Sequence, residues 1–229
     1  MAEKELIYRY ERKFYVEELK HAQLVRDIKN HPAIFREIYH PRQINNIYFD
    51  SLDLHNYFEN KVGSEHRSKF RIRWYGETFG PVSKPVLEVK IKAGLMGTKE
   101  HYPLPDFVMD ENFSIDTVHA LVKDSNMPGH RLIGFKNSEP TVLNAYQRTY
   151  YLSADGKFRL TLDKDLYSCR IGRRHNSFVQ HNTNKNAFIV ELKYDQEDDK
   201  EAGKIGSKFK FRMTKSSKYV EAVENIYLL

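Results

Sequence analysis

A chain of 229 residues, 40% hydrophobic and 30% charged, is long enough to bury one sizeable core and too apolar to be disordered. Its one cysteine, Cys169, excludes a disulfide framework and a thiolate zinc site and reads as an inert thiol, while the ten histidines fall at no ligand spacing. The formal charge of +6 favours an acidic partner such as nucleic acid, anionic lipid or a phosphorylated small molecule.

In chain order, alternation predicts a first strand over 8–15, with Arg9, Glu11 and Lys13 on one face. Helical patterns follow over 17–30 and 53–60, with a strand over 44–49 between them. Over 69–75, Lys69, Arg71 and Arg73 alternate with Phe70, Ile72 and Trp74; over 86–92, Glu88, Lys90 and Lys92 alternate with Leu87, Val89 and Ile91. The Gly- and Pro-rich stretch 76–85, and Gly94 with Gly97, punctuate the hairpins that lead to a strand over 99–102. A helix over 114–124 precedes strands over 144–152 and 158–166, which Asp155-Gly156 joins as a hairpin. The polar stretch 170–186 reads as a surface loop or ragged hairpin, followed by a strand over 188–194 and helices over 197–209 and 216–227.

Hairpins with short helices scattered among them predict an α+β fold with a largely antiparallel sheet, and the lack of a repeat or linker predicts a single domain over 1–229. Ionic rows that recur on several strands would, in a closed barrel, line a cationic cavity that asks for phosphate or carboxylate. No apolar run reaches membrane-spanning length and the first nine residues carry no signal-peptide core, so a cytoplasmic protein with no membrane span is expected.

Seven segments carry a more specific likeness. They are Tyr8-Arg9-Tyr10-Glu11-Arg12-Lys13-Phe14, Ile47-Tyr48-Phe49-Asp50, Phe70-Arg71-Ile72-Arg73-Trp74-Tyr75-Gly76, Leu87-Glu88-Val89-Lys90, Tyr146-Gln147-Arg148-Thr149-Tyr150-Tyr151, Glu191-Leu192-Lys193 and Ser217-Lys218-Tyr219. In that order the chain resembles a VTC domain, the catalytic module of the vacuolar transporter chaperone polyphosphate polymerases, within the triphosphate tunnel metalloenzymes related to the CYTH proteins. The resemblance implies an antiparallel eight-stranded β-barrel tunnel with short flanking helices, holding a triphosphate or polyphosphate together with Mn²⁺ or Mg²⁺.

It also implies an activity: transfer of the γ-phosphoryl group of ATP to a growing polyphosphate chain. Arg71, Arg73, Arg148, Lys13 and Lys90 would be catalytic, and Lys99, Tyr146, Lys193, Ser217 and Lys218 would bind substrate, with Arg159 and Arg9 counted beside them. Glu191 matches the family's metal-binding glutamate; Glu11 and Glu88 are further metal candidates and Asp163 a weaker one.

Where hydrolytic relatives carry Glu-x-Glu-x-Lys on the first strand, this chain has Arg9-x-Glu11-x-Lys13. A guanidinium in place of a carboxylate favours synthesis or binding over hydrolysis. Two alternatives stay open: a CYTH-type triphosphatase acting on inorganic or organic triphosphate, and a non-catalytic polyphosphate-binding module. The expected partners are ATP or another triphosphate and inorganic polyphosphate. Nucleic acid is not expected, because the aromatics alternate into the presumed core, and any coupling to transport would need a membrane-protein partner.

Overall fold

Strands that alternate between apolar and charged residues can bury only one face in a core, and here eight of them curl around the charged one. The computed structural model describes residues 9–94 and 96–227. Its first half runs β1 (Tyr10–Val16), α1 (His21–Lys29), β2 (Arg36–Asp50), α2 (His55–Val62), β3 (His66–Tyr75), β4 (Gly80–Val82), β5 (Val86–Ala93) and β6 (Met96–Pro103). The second half runs β7 (Phe107–Met109), α3 (Ile115–Lys123), α4 (Gly129–Lys136), β8 (Glu139–Leu152), β9 (Arg159–Arg170), β10 (His181–Asn184), β11 (Phe188–Tyr194), α5 (Asp199–Lys208) and α6 (Lys218–Tyr227).

The long strands pair antiparallel in the order β1-β11-β9-β8-β2-β3-β5-β6, with β10 added to β9 and a separate two-stranded sheet of β4 and β7. Among the described residues, the edges of the curled sheet meet at one bridge, where Arg9 and Gly97 exchange backbone hydrogen bonds of 3.3 and 3.4 Å. The expected antiparallel eight-stranded tunnel with flanking helices is therefore the observed fold.

The apolar rows face outward into two cores. Ile47, Phe49, Phe70, Ile72, Leu87 and Val89 pack with Val82, Met109, Val118 and Phe135 beneath β4, β7, α3 and α4. Phe14, Leu160, Leu162, Val190 and Leu192 pack with Leu24 and Ile28 of α1 and Ala202 and Ile205 of α5. Each such aliphatic burial contributes roughly 1.5–3 kcal/mol. The third cluster lies on the inner side: α6 sets Tyr219, Ala222, Val223 and Ile226 against Tyr48, Val142 and Tyr57, filling that end of the tunnel.

Several boundaries differ from expectation. Tyr8, the expected start of the first strand, lies outside the described residues, as does Leu95 in the turn between β5 and β6. The helix expected from 17 begins at His21, where the Gln23 side chain accepts the Lys20 N–H at 2.9 Å and fixes the first turn. The stretch expected as a surface loop or ragged hairpin takes the hairpin form: it contains β10, held antiparallel to β9 by backbone pairing without any apolar alternation of its own. β2 begins at Arg36 rather than near 44, because its first half is an exposed ribbon with β8 and carries no core pattern. α4 follows Pro128 and includes Gly129 and Gly134, which mask its helical period. Among the described residues, no helix is long and apolar enough to cross a membrane.

Candidate active site

The register of β3, β5 and β6 fixes the first ionic cluster. Arg71 lies opposite Glu88, Glu88 opposite His101, and Lys69, Lys90 and Lys99 form a row across the three strands. Buried Glu88 accepts from Arg71 Nε at 2.6 Å and Arg73 Nη1 at 3.3 Å, with His101 at 3.4 Å and Lys99 at 3.8 Å. Burial raises its pKa, but Arg71, the His101 hydrogen bond, Arg73 and Lys99 together hold it well below the usual carboxylate range. The arginines are themselves oriented from β2: Arg71 Nη1 donates to the Tyr48 hydroxyl at 3.0 Å and Arg73 Nε to Asn46 Oδ1 at 2.8 Å. Asn46 in turn donates to Asn144 Oδ1 at 2.9 Å.

The second cluster forms on the facing wall of β1, β11, β9 and β8. Arg148 makes a forked pair with Asp163, 2.5 and 2.6 Å, the geometry a planar guanidinium favours. Lys218, the first residue of α6, reaches Asp163 at 2.5 Å and Glu191 at 3.1 Å. Glu191 also accepts from Lys193 at 3.0 Å and Arg148 at 3.3 Å, with Lys13 at 3.8 Å. Burial raises the Glu191 pKa, yet Lys193, Lys218, Arg148 and Lys13 leave it well below the usual value. Glu11 stands between Lys90 at 3.6 Å and Lys193 at 3.8 Å; burial raises it, but Lys13, Lys90 and Lys193 bring it to about 2 against the opposing charge of Glu191. Tyr146 is buried, with Lys218 Nζ 5.0 Å and the Arg148 guanidinium 5.2 Å from its ring centroid.

Charge is not balanced across the tunnel. Lys13, Lys69, Arg71, Arg73, Lys90, Lys99, Arg148, Lys193 and Lys218 outnumber Glu11, Glu88, Asp163 and Glu191. Burial, and then Lys90, Arg67 and Lys13, push Lys69 down to about 6, and burial with Arg71 lowers Lys99 well below its usual value despite Glu88. Lys90 is raised by Glu11 but lowered more by burial, Lys13 and Arg71 together. The wall of β3, β5 and β6 is thus short of negative charge. On the opposite wall the Thr161 hydroxyl, paired in register with Glu191, is buried with no hydrogen-bond partner among the described residues. Orphaned buried hydroxyls and undercharged lysines are both costly, and a phosphate chain would relieve both.

Of the residues expected at the site, Arg71, Arg73, Arg148, Lys13, Lys90, Lys99, Lys193, Lys218, Tyr146, Glu191, Glu11 and Glu88 all face this interior. Three stand apart. Arg9 lies at the seam and pairs with Asp195 at 3.6 Å with 43% of its side chain exposed. Arg159 is exposed, opposite Lys193 at the end of β9. Ser217 accepts from Asn60 Nδ2 at 3.0 Å and from the Val220 N–H, bracing the start of α6. Lys69, Asn46, Tyr48, Asn144 and Thr161 are additional lining residues, and the signal for Asn46 and Tyr48 is their alternation with Ile47 and Phe49.

Among the described residues, no three acidic, His or Cys side chains converge to hold an ion by themselves. Glu191, Glu11 and the unpartnered Thr161 hydroxyl offer oxygen donors on neighbouring strands. Such a sparse set fits a hard divalent cation that already carries phosphate oxygens.

Known proteins add the following. The family model of the VTC domain matches residues 8–227. Among solved structures, the PH1819 protein of Pyrococcus horikoshii OT3 gives a TM-score of 0.52 at 10% identity, covering 94% of this chain and 98% of that one. The "putative adenylate cyclase" of Vibrio parahaemolyticus gives 0.49 at 11% identity, again over 94% and 98%. No curated protein matches this chain in sequence. At such identities the first structure speaks for the shared fold alone. Because the family match runs the whole length of the tunnel walls, the chain belongs to the VTC domain family.

Proposed function

We propose that this chain is a polyphosphate polymerase that transfers the γ-phosphoryl group of ATP to a polyphosphate chain held in the tunnel. One observation carries the reading: cations from facing walls converge on a buried interior whose own carboxylates leave one wall undercharged. Phosphoryl transfer needs positioning and charge neutralisation more than a covalent nucleophile. Arg71 and Arg73 turn their forks from Glu88 to phosphate oxygens, while Asp163 keeps Arg148 in one orientation beside the transferring group. Lys13, Lys90, Lys193 and Lys218 steady the acceptor chain. The new bond joins an acceptor phosphate oxygen to the γ-phosphorus as the bond to the bridging oxygen breaks and ADP leaves.

A bound Mn²⁺ or Mg²⁺ would supply further charge neutralisation to the phosphates. Glu191 and Glu11 would hold it, whereas Glu88, ringed by Arg71, Arg73, Lys99 and His101, serves as their counter-ion. An ionised phosphate acceptor needs no base. Hydrolysis would need one to activate water, and the pKa of each of Glu11, Glu88, Asp163 and Glu191 is lowered by its cations, which makes them weak bases. The distinction favours synthesis over the triphosphatase alternative.

Incubation with ATP and Mn²⁺ or Mg²⁺, followed by gel separation of the phosphate products, tests the proposal. Ladders that vanish in Arg148→Ala are expected. Orthophosphate as the sole product would instead make the protein a triphosphatase, and tight polyphosphate binding without turnover would make it a binding module.

A further inference from the structure

The inward row of the tunnel does not stop at its last arginines. Along β3 it runs Lys69, Arg71, Arg73 and then Tyr75, and along β8 it runs Tyr146, Arg148 and then Tyr150. β2 extends the same surface: Ile44 lies opposite both Tyr75 and Tyr146, Arg42 opposite Arg148, and Tyr39 opposite Tyr150. Tyr39, Arg42, Tyr75 and Tyr150 therefore gather where the cationic row leaves the barrel, at the end away from α6.

Their geometry is that of an unfinished stack. The Arg42 guanidinium carbon lies 4.9 Å from the Tyr39 ring centroid, 5.7 Å from that of Tyr150 and 5.8 Å from that of Tyr75. Tyr39 meets Tyr150 edge to face at 5.7 Å. Among the described residues Arg42 makes no ion pair, and Tyr39 and Tyr75 remain 53% and 51% exposed. Such a cluster buries little, so it adds little to the fold. Bulges on either side of Tyr39, with Pro41 following it, also blunt this free edge against pairing with another strand, which leaves the ring faces as its usable surface.

A flat π-system attached to negative charge complements both the rings and the guanidinium. We infer that Tyr39, Arg42, Tyr75 and Tyr150 form the nucleoside subsite of the phosphate donor, with the base stacked on the exposed tyrosines and the phosphates running inward past Arg73 and Arg148. Tyr75 lies two residues beyond Arg73, about 7 Å along the strand, so one nucleotide spans both. The inference rests on the tunnel reading above and adds to it the mouth by which the donor enters. Stacking is tolerant of base identity, so ATP and GTP are both accepted.

The test measures ATP and inorganic tripolyphosphate affinity by calorimetry on the full chain and its variants. Tyr75→Ala and Tyr39→Ala each weaken ATP binding about tenfold and leave tripolyphosphate unchanged, while Tyr75→Phe retains ATP affinity. Both tyrosines are exposed, so these variants fold. Unchanged ATP affinity in both alanine variants, or equal weakening of both ligands, overturns the subsite. If tripolyphosphate still binds and Arg71→Ala still abolishes that binding, the tunnel reading survives that failure. Absence of tripolyphosphate binding to the natural chain overturns both.

Discussion

Glu88 is one carboxylate facing Arg71, Arg73, Lys99 and His101, which makes it the counter-ion of the wall formed by β3, β5 and β6. Glu88→Gln removes that charge and leaves buried guanidinium groups uncompensated, at a cost of about 3 kcal/mol. Tripolyphosphate should make good the loss, so thermal unfolding of the variant is expected to show a lower Tm alone and a larger ligand-induced rise than the natural protein. Equal rises would count against it. Lys69 gives the matching pH dependence. It holds its proton less tightly in the folded chain, at about 6, than at its ordinary value of 10.5. Between those values the unfolded chain binds more protons, so the Lys69 contribution makes the ligand-free fold more stable as pH rises, with the penalty fully present below about 6. An anion beside Lys69 reverses the preference, so ligand binding takes up a proton and weakens as pH rises above about 6. Calorimetry in buffers of different ionisation heat should detect that uptake near neutral pH, and Lys69→Met should remove it. Alternation made the rows of Lys69, Arg71 and Arg73 legible because a period of two assigns a face. It could not show which carboxylate meets which cation, since Arg148 and Asp163 become neighbours only through pairing of β8 with β9.

At the scale of elements, α6 determines whether the site is complete, because it carries Lys218 and fills one end of the tunnel. Its anchor is Asp50 at the end of β2, fully buried, which accepts the Tyr219 hydroxyl and the backbone N–H groups of Asn56 and Tyr57 at 2.8 and 3.0 Å. One carboxylate thus caps α2 and docks α6, and an acid at a helix N-terminus is also favoured by the helix dipole. Asp50→Ala leaves those donors buried and unsatisfied, and a loss of about 3 kcal/mol is expected, with Tyr219→Phe losing about 1 kcal/mol. Chemical denaturation checks both, and an Asp50→Ala variant as stable as the natural chain would refute this role. The helices with an apolar stripe were readable from sequence, as with Ile115, Val118, Leu121 and Val122 of α3. Those elements fixed by partners were not. β10 reads His181-Asn182-Thr183-Asn184 and exists because β9 offers it a backbone edge, and the exposed half of β2 exists because β8 does.

For the molecule as a whole, closure is uneven. Neighbouring strands around most of the sheet share long ladders, such as the seven residues that pair β1 with β11, but among the described residues the backbone pairing between the β1 and β6 edges is the single bridge of Arg9 with Gly97. Side chains reinforce that seam where the backbone does not: Glu11 of β1 pairs with Lys90 of β5 at 3.6 Å. Local opening follows the weakest set of contacts, so the amides of β1 and β6 beside the seam should exchange hydrogen faster than those of β2 and β8. In the proposed mode a polyphosphate in the tunnel would touch Lys13 on one side of the seam and Lys90 and Lys99 on the other, and its charges would replace mutual repulsion with attraction across the gap. Tripolyphosphate should therefore slow exchange in β1 and β6 more than in β2 and β8. Protection confined to β2 and β8, with the seam unchanged, would show that the anion binds to one wall only and would count against a chain of phosphates spanning the barrel.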